Sequence, residues 1–370
     1  MTQFKDALEK KIQNSLYNNY GVENFDEDRY GKYKKEKKKS IKNQLKYNIQ
    51  KTINYRTKDK ARIEIGRISQ YETQLAFIWQ NLDIESKNLF IDLIAFRLLG
   101  YSKIKLPLNS ISYKDNLIKV QALKINKDTI DPHFMHFMLE RYDLRPLGFD
   151  VELYFTDGGI VIDFIIEQYA YKKDDKYILQ AEKGDVVLDL GACWGDTALY
   201  FANKVGDTGR VFSFEFIPNN IKIWNTNIEL NPQLKNRIEL IEHPVSDVSD
   251  EAIYYRDNGP GSHISLTPFE NQTGTTTTLS IDDFIERYNI SKVDFIKMDI
   301  EGAEPAALRG ALKTIKKYRP KLAIAIYHSM EDFINIPKWL MELNLGYEFY
   351  LGHFTIHSEE TVIYALPTNK

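Results

Sequence analysis

The spacing of apolar positions changes along the chain near residue 145. Before it, ETQLAFIWQNL (72–82) and SKNLFIDLIAFRLLG (86–100) repeat at helical spacing, and Gly100 stands where a helix C-cap is expected. Residues 32–60 lack Gly and Pro, and Ile41, Leu45 and Ile49 recur every four positions, which predicts a helix with a narrow apolar stripe. Residues 1–30 read as helix, turn and loop, and 101–140 as mixed, with a short helix at 132–140. After 145 the pattern is that of strands. VELYFTDGGIVIDFII (151–166) reads as two β-rich runs around Asp157-Gly158-Gly159, a hairpin signal. Strand-like runs then follow at 186–190, 211–215, 237–242, 293–298 and 321–327. Helical stretches lie at 196–204, 218–230, 280–288, 304–317 and 331–344. YEFYL (347–351) and TVIYAL (361–366) are close enough to pair antiparallel. Strands alternating with helices predict an α/β fold whose parallel sheet is covered on both faces.

Composition narrows the class. Of 370 residues, 43% are hydrophobic and 27% charged, enough for a large core and too apolar for general disorder. The single cysteine, Cys193, excludes an intrachain disulfide and an all-cysteine zinc site. The N-terminus lacks a secretory apolar region, and no apolar run reaches the roughly 18 residues of a membrane span, so a cytoplasmic protein is expected. Charge is segregated. Residues 1–130 carry 26 Lys+Arg against 15 Asp+Glu, and the remainder 23 against 37. Segment 31–67 alone holds 14 basic and 3 acidic residues. It reads either as a solvated helix face or as a tether to an anionic surface: the inner face of a membrane, an acidic glycan, or a partner in an assembly complex. The expected division is a basic helical segment 1–67, a helical module 68–140 and an α/β domain 141–370. Residues 1–130 are expected to form a separate helical module that recruits and takes no part in chemistry, because they contain no histidine and no glycine turn at a strand end.

The most informative segment is Val186-Val-Leu-Asp189-Leu-Gly191-Ala-Cys193-Trp194-Gly195-Asp196-Thr197, an apolar strand running through a glycine turn into a helix. Gly191 and Gly195 allow unusual dihedrals and a close ligand approach, and the end of the first strand is where an open α/β sheet binds its ligand. The next strand ends in Glu215, 24 residues after Gly191, where a carboxylate can accept hydrogen bonds from ribose hydroxyls. A dinucleotide site requires G-x-G-x-x-G. Here the third glycine is missing, and Asp189 and Asp196 flank the turn, where they would repel a pyrophosphate. They suit the ammonium and sulfonium of S-adenosylmethionine, with Glu215 on the ribose and Phe216 beside the adenine. Asp247 follows the third strand and is positioned for the adenine amino group.

Phe295-Ile-Lys297-Met-Asp299-Ile-Glu301-Gly302-Ala-Glu304 again ends a strand in a carboxylate. Asp299 could orient an acceptor or, with Glu301, supply oxygen ligands to magnesium. The fifth strand runs into His328, a candidate general base near neutral pH. His263, in the loop Gly259-Pro-Gly-Ser-His263, could cover the acceptor.

The ordered set Asp189-Leu-Gly-Ala-x-x-Gly-Asp-Thr, Phe214-Glu215-Phe-Ile-Pro218, Val245-Ser246-Asp247, Thr278-Leu-Ser-Ile-Asp282-Asp283 and Lys297-Met-Asp299-Ile-Glu301-Gly302-Ala-Glu304 resembles the FkbM-type methyltransferase family over about 150–366. The resemblance implies a class I, Rossmann-like fold with a terminal antiparallel hairpin and S-adenosylmethionine-dependent O-methylation of sugar, glycan or polyketide hydroxyls. It places Gly191, Gly195, Glu215 and Asp247 on the cofactor. It also aligns the Gln168-Tyr169-Ala-Tyr171 stretch with a segment that precedes the family's first strand, so that Tyr169 and Tyr171 would close over the cofactor. Cys193 and Trp194 depart from the small or polar residues usual in that turn. A nucleic-acid methyltransferase using the basic arm is the main alternative, disfavoured by the lack of an aromatic-flanked Asn/Asp-Pro-Pro signature. The missing third glycine disfavours a dehydrogenase, and the intact turn disfavours a non-catalytic scaffold.

Overall fold

The computed structural model describes residues 2–34 and 54–368. Its centre is a seven-stranded sheet of β1 (Val186–Leu190), β2 (Arg210–Phe214), β3 (Ile238–Ile241), β4 (Phe295–Met298), β5 (Lys321–Ala325), β6 (Tyr347–His353) and β7 (Thr361–Pro367). The spatial order is β3-β2-β1-β4-β5-β7-β6. β1 to β5 are parallel, and β7 runs antiparallel to its neighbours β5 and β6. This is the class I methyltransferase sheet with its terminal hairpin. Chain order reverses between β1 and β4, so a crevice opens at their carboxyl ends. The crossovers carry α1 (Asp196–Val205), α2 (Pro218–Glu229), α3 (Ile281–Arg287), α4 (Glu304–Gly310), α5 (Leu312–Tyr318) and α6 (Met330–Glu342). Alternation along the strands feeds two cores. Leu188, Leu190, Phe212, Phe214 and Met298 face one side, while Val187, Val211, Phe295 and Ala323 face the other. The single helix expected at 304–317 is two, meeting at Gly310. A Cβ there would lie 2.1 Å from the Ser246 carbonyl oxygen, so glycine lets this corner press against the segment after β3.

Two local expectations fail for backbone reasons. Asp157-Gly158-Gly159 makes a helical turn rather than a hairpin. Thr156 caps it by accepting from the Gly159 N–H at 3.1 Å, and Val161–Ile166 continues as a π-helix. The strand preceding it, Glu152–Phe155, belongs to a small antiparallel sheet with Lys124–Ile130 and Leu139–Asp143. The helix expected at 132–140 is absent, because His133 and Met135 adopt positive φ and the chain enters the strand at Leu139.

The N-terminal helices are not a separate module. Helices Thr2–Ser15, Glu72–Asn81 and Ile84–Leu99 send Phe4, Leu8, Ile12, Leu75, Ile78, Phe90 and Ile94 into the same core as Leu188, Phe333 and Leu351. Ser86 Oγ accepts from the Leu351 N–H at 2.9 Å and Leu82 bridges Phe349, so this layer covers the edge strand β6. Phe90 stacks on Phe333 at 5.1 Å between centroids, and the Arg97 guanidinium lies 4.1 Å from the same ring. Full burial stabilises by about 1.5–3 kcal/mol for each large apolar side chain, whereas an exposed ion pair contributes about 0–1 kcal/mol. Packing therefore holds the layer far more than the opposed net charges do. Half of the 14 basic residues of 31–67, and most of the helix expected at 32–60, fall on 35–53, outside the described residues; Asn54–Gly66 is helical. Among the described residues no helix is long and apolar enough to cross a membrane.

His353, at the end of β6, is buried, with Nδ1 on Thr361 Oγ1 at 2.9 Å and Nε2 without a partner. Burial, helped by the Arg97 charge, pushes its pKa down to about 3 from 6.5. The folded state thus keeps His353 neutral, while the unfolded chain takes up a proton as pH falls below 6.5. This group's contribution is complete above that pH and is lost as pH falls toward 3, at about 1.4 kcal/mol per pH unit. Urea unfolding should therefore show about 2 kcal/mol less stability at pH 5 than at pH 6.5 from this residue. His353→Gln should flatten that part of the profile; an unchanged slope would show that other groups govern acid sensitivity.

Candidate active site

Two adjoining cavities occupy the carboxyl edge of the sheet. The first, about 220 Å³, is lined by Gly191 after β1, Glu215 and Phe216 after β2, the Pro244-Val245-Ser246 segment after β3, and Asp299 and Glu301 after β4. Ile253, Pro260 and Ile264 close it from the antiparallel flap of strands at 252–277. The second, about 1010 Å³, is lined by Asp163, Gln168, Tyr169, Trp194, Asp196, Thr197, Lys297, Tyr327 and Glu360. Gly191, Cys193, Pro260, Asp299 and Glu301 line both, so the cavities meet at the glycine turn and the end of β4.

Lys297 organises this junction. It is 1% exposed, and its Nζ donates to the Gly191 carbonyl at 2.6 Å and the Leu190 carbonyl at 3.3 Å and pairs with Asp189 at 3.3 Å. Burial pushes the ammonium pKa down, but Asp189, Asp299 and Asp196 outweigh this and raise it above the ordinary lysine range. Asp189 is fully buried and also accepts from Thr197 Oγ1 at 2.9 and 3.0 Å and from Ser213 at 3.3 Å. It lines neither cavity. Asp189 therefore braces the turn from behind, and the expectation of direct cofactor contact is corrected for it. Thr197 lines the second cavity, but its hydroxyl is committed to Asp189.

Gly191 and Gly195 adopt φ of +83° and +87°, which favours glycine. Gly195 sits against the Trp224 ring and precedes α1. Glu215 Oε1 accepts from the N–H groups of Phe216 and Ile217 at 2.7 and 2.8 Å, and Oε2 accepts from Asn220 at 3.1 Å. Burial nevertheless leaves its pKa raised. Phe216 meets Tyr255 of the flap edge to face at 5.6 Å. Asp196 shares a hydrogen bond with Asp163, which the π-helix brings to the same wall. Burial first, then the Asp196 charge, raises the Asp163 carboxyl well above the ordinary carboxylate range.

At the other end of the junction, Asp299 accepts from Tyr169 at 3.1 Å and from Tyr327 at 3.1 and 3.2 Å. His328 Nε2 stands 3.2 Å from Asp299 Oδ1 and 3.0 Å from Glu304 Oε1, and its Nδ1 is 3.6 Å from Glu301 Oε2. Burial lowers the pKa of His328, but hydrogen bonds and charge from Asp299 and Glu304 outweigh it and raise it to about 11. His328 lines neither cavity, so the expected general-base role is corrected. Asp299 and Glu301 do border both cavities, but the ligand atoms that converge belong to Asp299, Glu304 and His328, within 4.8 Å of one another.

Three further candidates lie elsewhere. Asp247 is paired with Arg309 at 2.9 and 3.0 Å, which holds its carboxyl low, and its neighbour Ser246 lines the cavity instead. Tyr171 stacks on Tyr350 at 4.6 Å in the core behind the site. His263 is exposed against Phe269; strand alternation points Ser262 and Ile264 inward and His263 out. Sequence reading missed Asp163, Glu360 and the bracing role of Lys297. A lone acid in the apolar run Gly159–Ile166 was the available signal for Asp163.

Residues 181–349 match the family model described as the methyltransferase FkbM domain. Over those residues the chain carries an FkbM-type methyltransferase domain. A curated protein similar to this chain, the chloroplastic 2-phytyl-1,4-beta-naphthoquinone methyltransferase of Arabidopsis thaliana, is 28% identical over 155 residues, covering 33% of this chain and 59% of that protein. The crystal structure of methyltransferase FkbM from Methylobacillus flagellatus superposes with a TM-score of 0.52 at 18% identity, over 81% of this chain and 60% of that one. This second likeness is one of fold. In both cases the chain spans about three fifths of the relative's own length. The FkbM domain thus includes β1 to β5, the glycine turn, Glu215 and the Asp299 cluster, while the N-terminal layer precedes the matched residues.

Proposed function

We propose that the protein transfers the methyl group of S-adenosylmethionine to a hydroxyl of a sugar, a glycan or a related metabolite. The observation that carries this reading is the meeting of the two cavities at Gly191, Cys193, Asp299 and Glu301. One cavity suits the adenosine and the other suits the acceptor. The residues present fit the cofactor. Asn220 Oδ1 and Asp196 Oδ1 are buried without a partner, and each lies on a residue lining a cavity. Glu215 would take the ribose, Phe216, Val245 and Ile253 the adenine faces, and Asp196 the ammonium. When bound, the cofactor supplies an electrophilic methyl group for in-line displacement.

The chain's part is to hold the acceptor oxygen in line and receive its proton. Alignment of this kind can lower a barrier by about 7–11 kcal/mol at best. Asp299 and Glu301 border both cavities and are the carboxylates able to accept a hydrogen bond from an acceptor hydroxyl. The second cavity is lined by eleven carboxylate side chains against three of lysine or arginine. That balance repels phosphate and favours a neutral hydroxyl acceptor over a nucleic acid. The basic segment 31–67 is proposed to bind an anionic membrane, glycan or partner.

Calorimetry with adenosylhomocysteine tests the cofactor half. Wild-type protein should bind one equivalent, and Glu215→Ala should bind roughly five- to a hundredfold more weakly, about 1–3 kcal/mol. Labelled methyl transfer to a panel of neutral glycosides tests the rest. Binding of a nicotinamide dinucleotide in place of adenosylhomocysteine would overturn the reading.

A further inference from the structure

We propose that Asp299, Glu304 and His328 form a binding site for one divalent cation of the Mn2+ or Zn2+ kind at the rim of the acceptor cavity. Spacing supports it. Ligand atoms in adjacent positions of an octahedral ion with bonds of about 2.1 Å lie about 3.0 Å apart. His328 Nε2 is 3.0 Å from Glu304 Oε1 and 3.2 Å from Asp299 Oδ1, so the three atoms already stand at coordination edges.

Burial and pairing supply a second, independent sign. Glu304 is 0% exposed, and its Oε1 also accepts from the Ile300 N–H at 2.8 Å, while its Oε2 has no partner at all. A buried carboxylate oxygen left unpaired costs about 1–3 kcal/mol, which a cation beside it would offset. The imidazole is also oriented as a ligand. A histidine that binds through Nε2 leaves Nδ1 for an outer carboxylate, and Glu301 Oε2 faces Nδ1 at ion-pair range, 3.6 Å, longer than a hydrogen bond. Glu301 holds a left-handed φ of +56° beside Gly302 at +94°, so the chain turns sharply where its carboxylate faces Nδ1. Two carboxylates and one imidazole leave the remaining positions of a six-coordinate ion open. Asp299 carries the site to the cavity wall, where a hydroxyl could fill an open position and lose its proton more readily. That consequence rests on the methyltransferase reading; the binding does not.

The test is a titration of the full-length protein with Mn2+, followed by the paramagnetic resonance of the free ion. Adenosylhomocysteine binding is measured calorimetrically on the same samples. One Mn2+ per chain is expected, displaceable by Zn2+. Glu304→Gln and His328→Gln should each weaken it at least tenfold. Glu301→Gln, at a side chain 55% exposed and so without risk to the fold, should weaken it by about tenfold. Absence of stoichiometric Mn2+ binding by the wild type overturns the site and identifies the cluster as a proton-bridged clasp. Binding that survives all three substitutions places the ion elsewhere and overturns it equally. Failure to bind adenosylhomocysteine would instead remove the cofactor reading and leave the metal result standing.

Discussion

Lys297→Met is expected to destabilise the protein by about 3–5 kcal/mol and to abolish measurable cofactor binding. Breaking a buried ion pair by removing one partner leaves an uncompensated charge in a low dielectric. The partner here is Asp189, which is 0% exposed and would retain only the hydroxyls of Thr197 and Ser213. The same substitution releases the carbonyls of Leu190 and Gly191, which orient the glycine turn. A long apolar side chain fills the space, so the loss reports charge and hydrogen bonding rather than a cavity. Urea unfolding measures the first effect and calorimetry the second. Adding Asp189→Asn to Lys297→Met should recover part of the stability, a coupling of about 0.5–3 kcal/mol. A single variant as stable as wild type, or a pair whose effects simply add, would show that the ammonium does not brace the turn.

Gly191→Ala should eliminate cofactor binding and methyl transfer, by more than a hundredfold. At φ of +83° an alanine is strained by itself, at about 1–3 kcal/mol. The larger effect is steric. A Cβ at 191 would lie 1.9 Å from the Asp299 carbonyl oxygen and 2.9 Å from its carbonyl carbon. Those atoms are backbone at the end of β4 and cannot rotate away, so the turn or the end of β4 must move. Either movement opens the junction where the cavities meet. Gly206→Ala is the control: its φ of +65° carries comparable strain, but the nearest atom is the flexible Lys183 side chain at 3.8 Å. Equal losses in both variants would mean that dihedral strain, not close approach, governs position 191.

Much of this molecule could be read before its fold was known. Parallel strands leave a period in the sequence because each is buried on both faces, so VVLDL, VDFIKM and KLAIAIY stand out as apolar runs between amphipathic helices. Turns that demand positive φ leave glycines at 191 and 195. Strand-end acids are legible because carboxyl ends of one sheet converge, and Glu215 and Asp299 do line the cavities. Spacing also identified the helices at 72–81 and 84–99, but not where their apolar faces would go.

Tertiary packing decided the rest, because a side chain's role depends on neighbours distant in sequence. Asp189 and His328 sit at strand ends like Glu215 does, yet Lys297 claims the first, and Asp299 and Glu304 claim the second. Asp247 is drawn to Arg309, 62 residues away. Asp163 reads as a strand residue until Thr156 caps a helical turn and the π-helix swings it to the cavity wall. The charge step near residue 130 suggested two bodies, but charge is a surface property. The N-terminal helices join the catalytic core because β6 has an edge to cover and Phe4, Leu8 and Phe90 have apolar faces to bury.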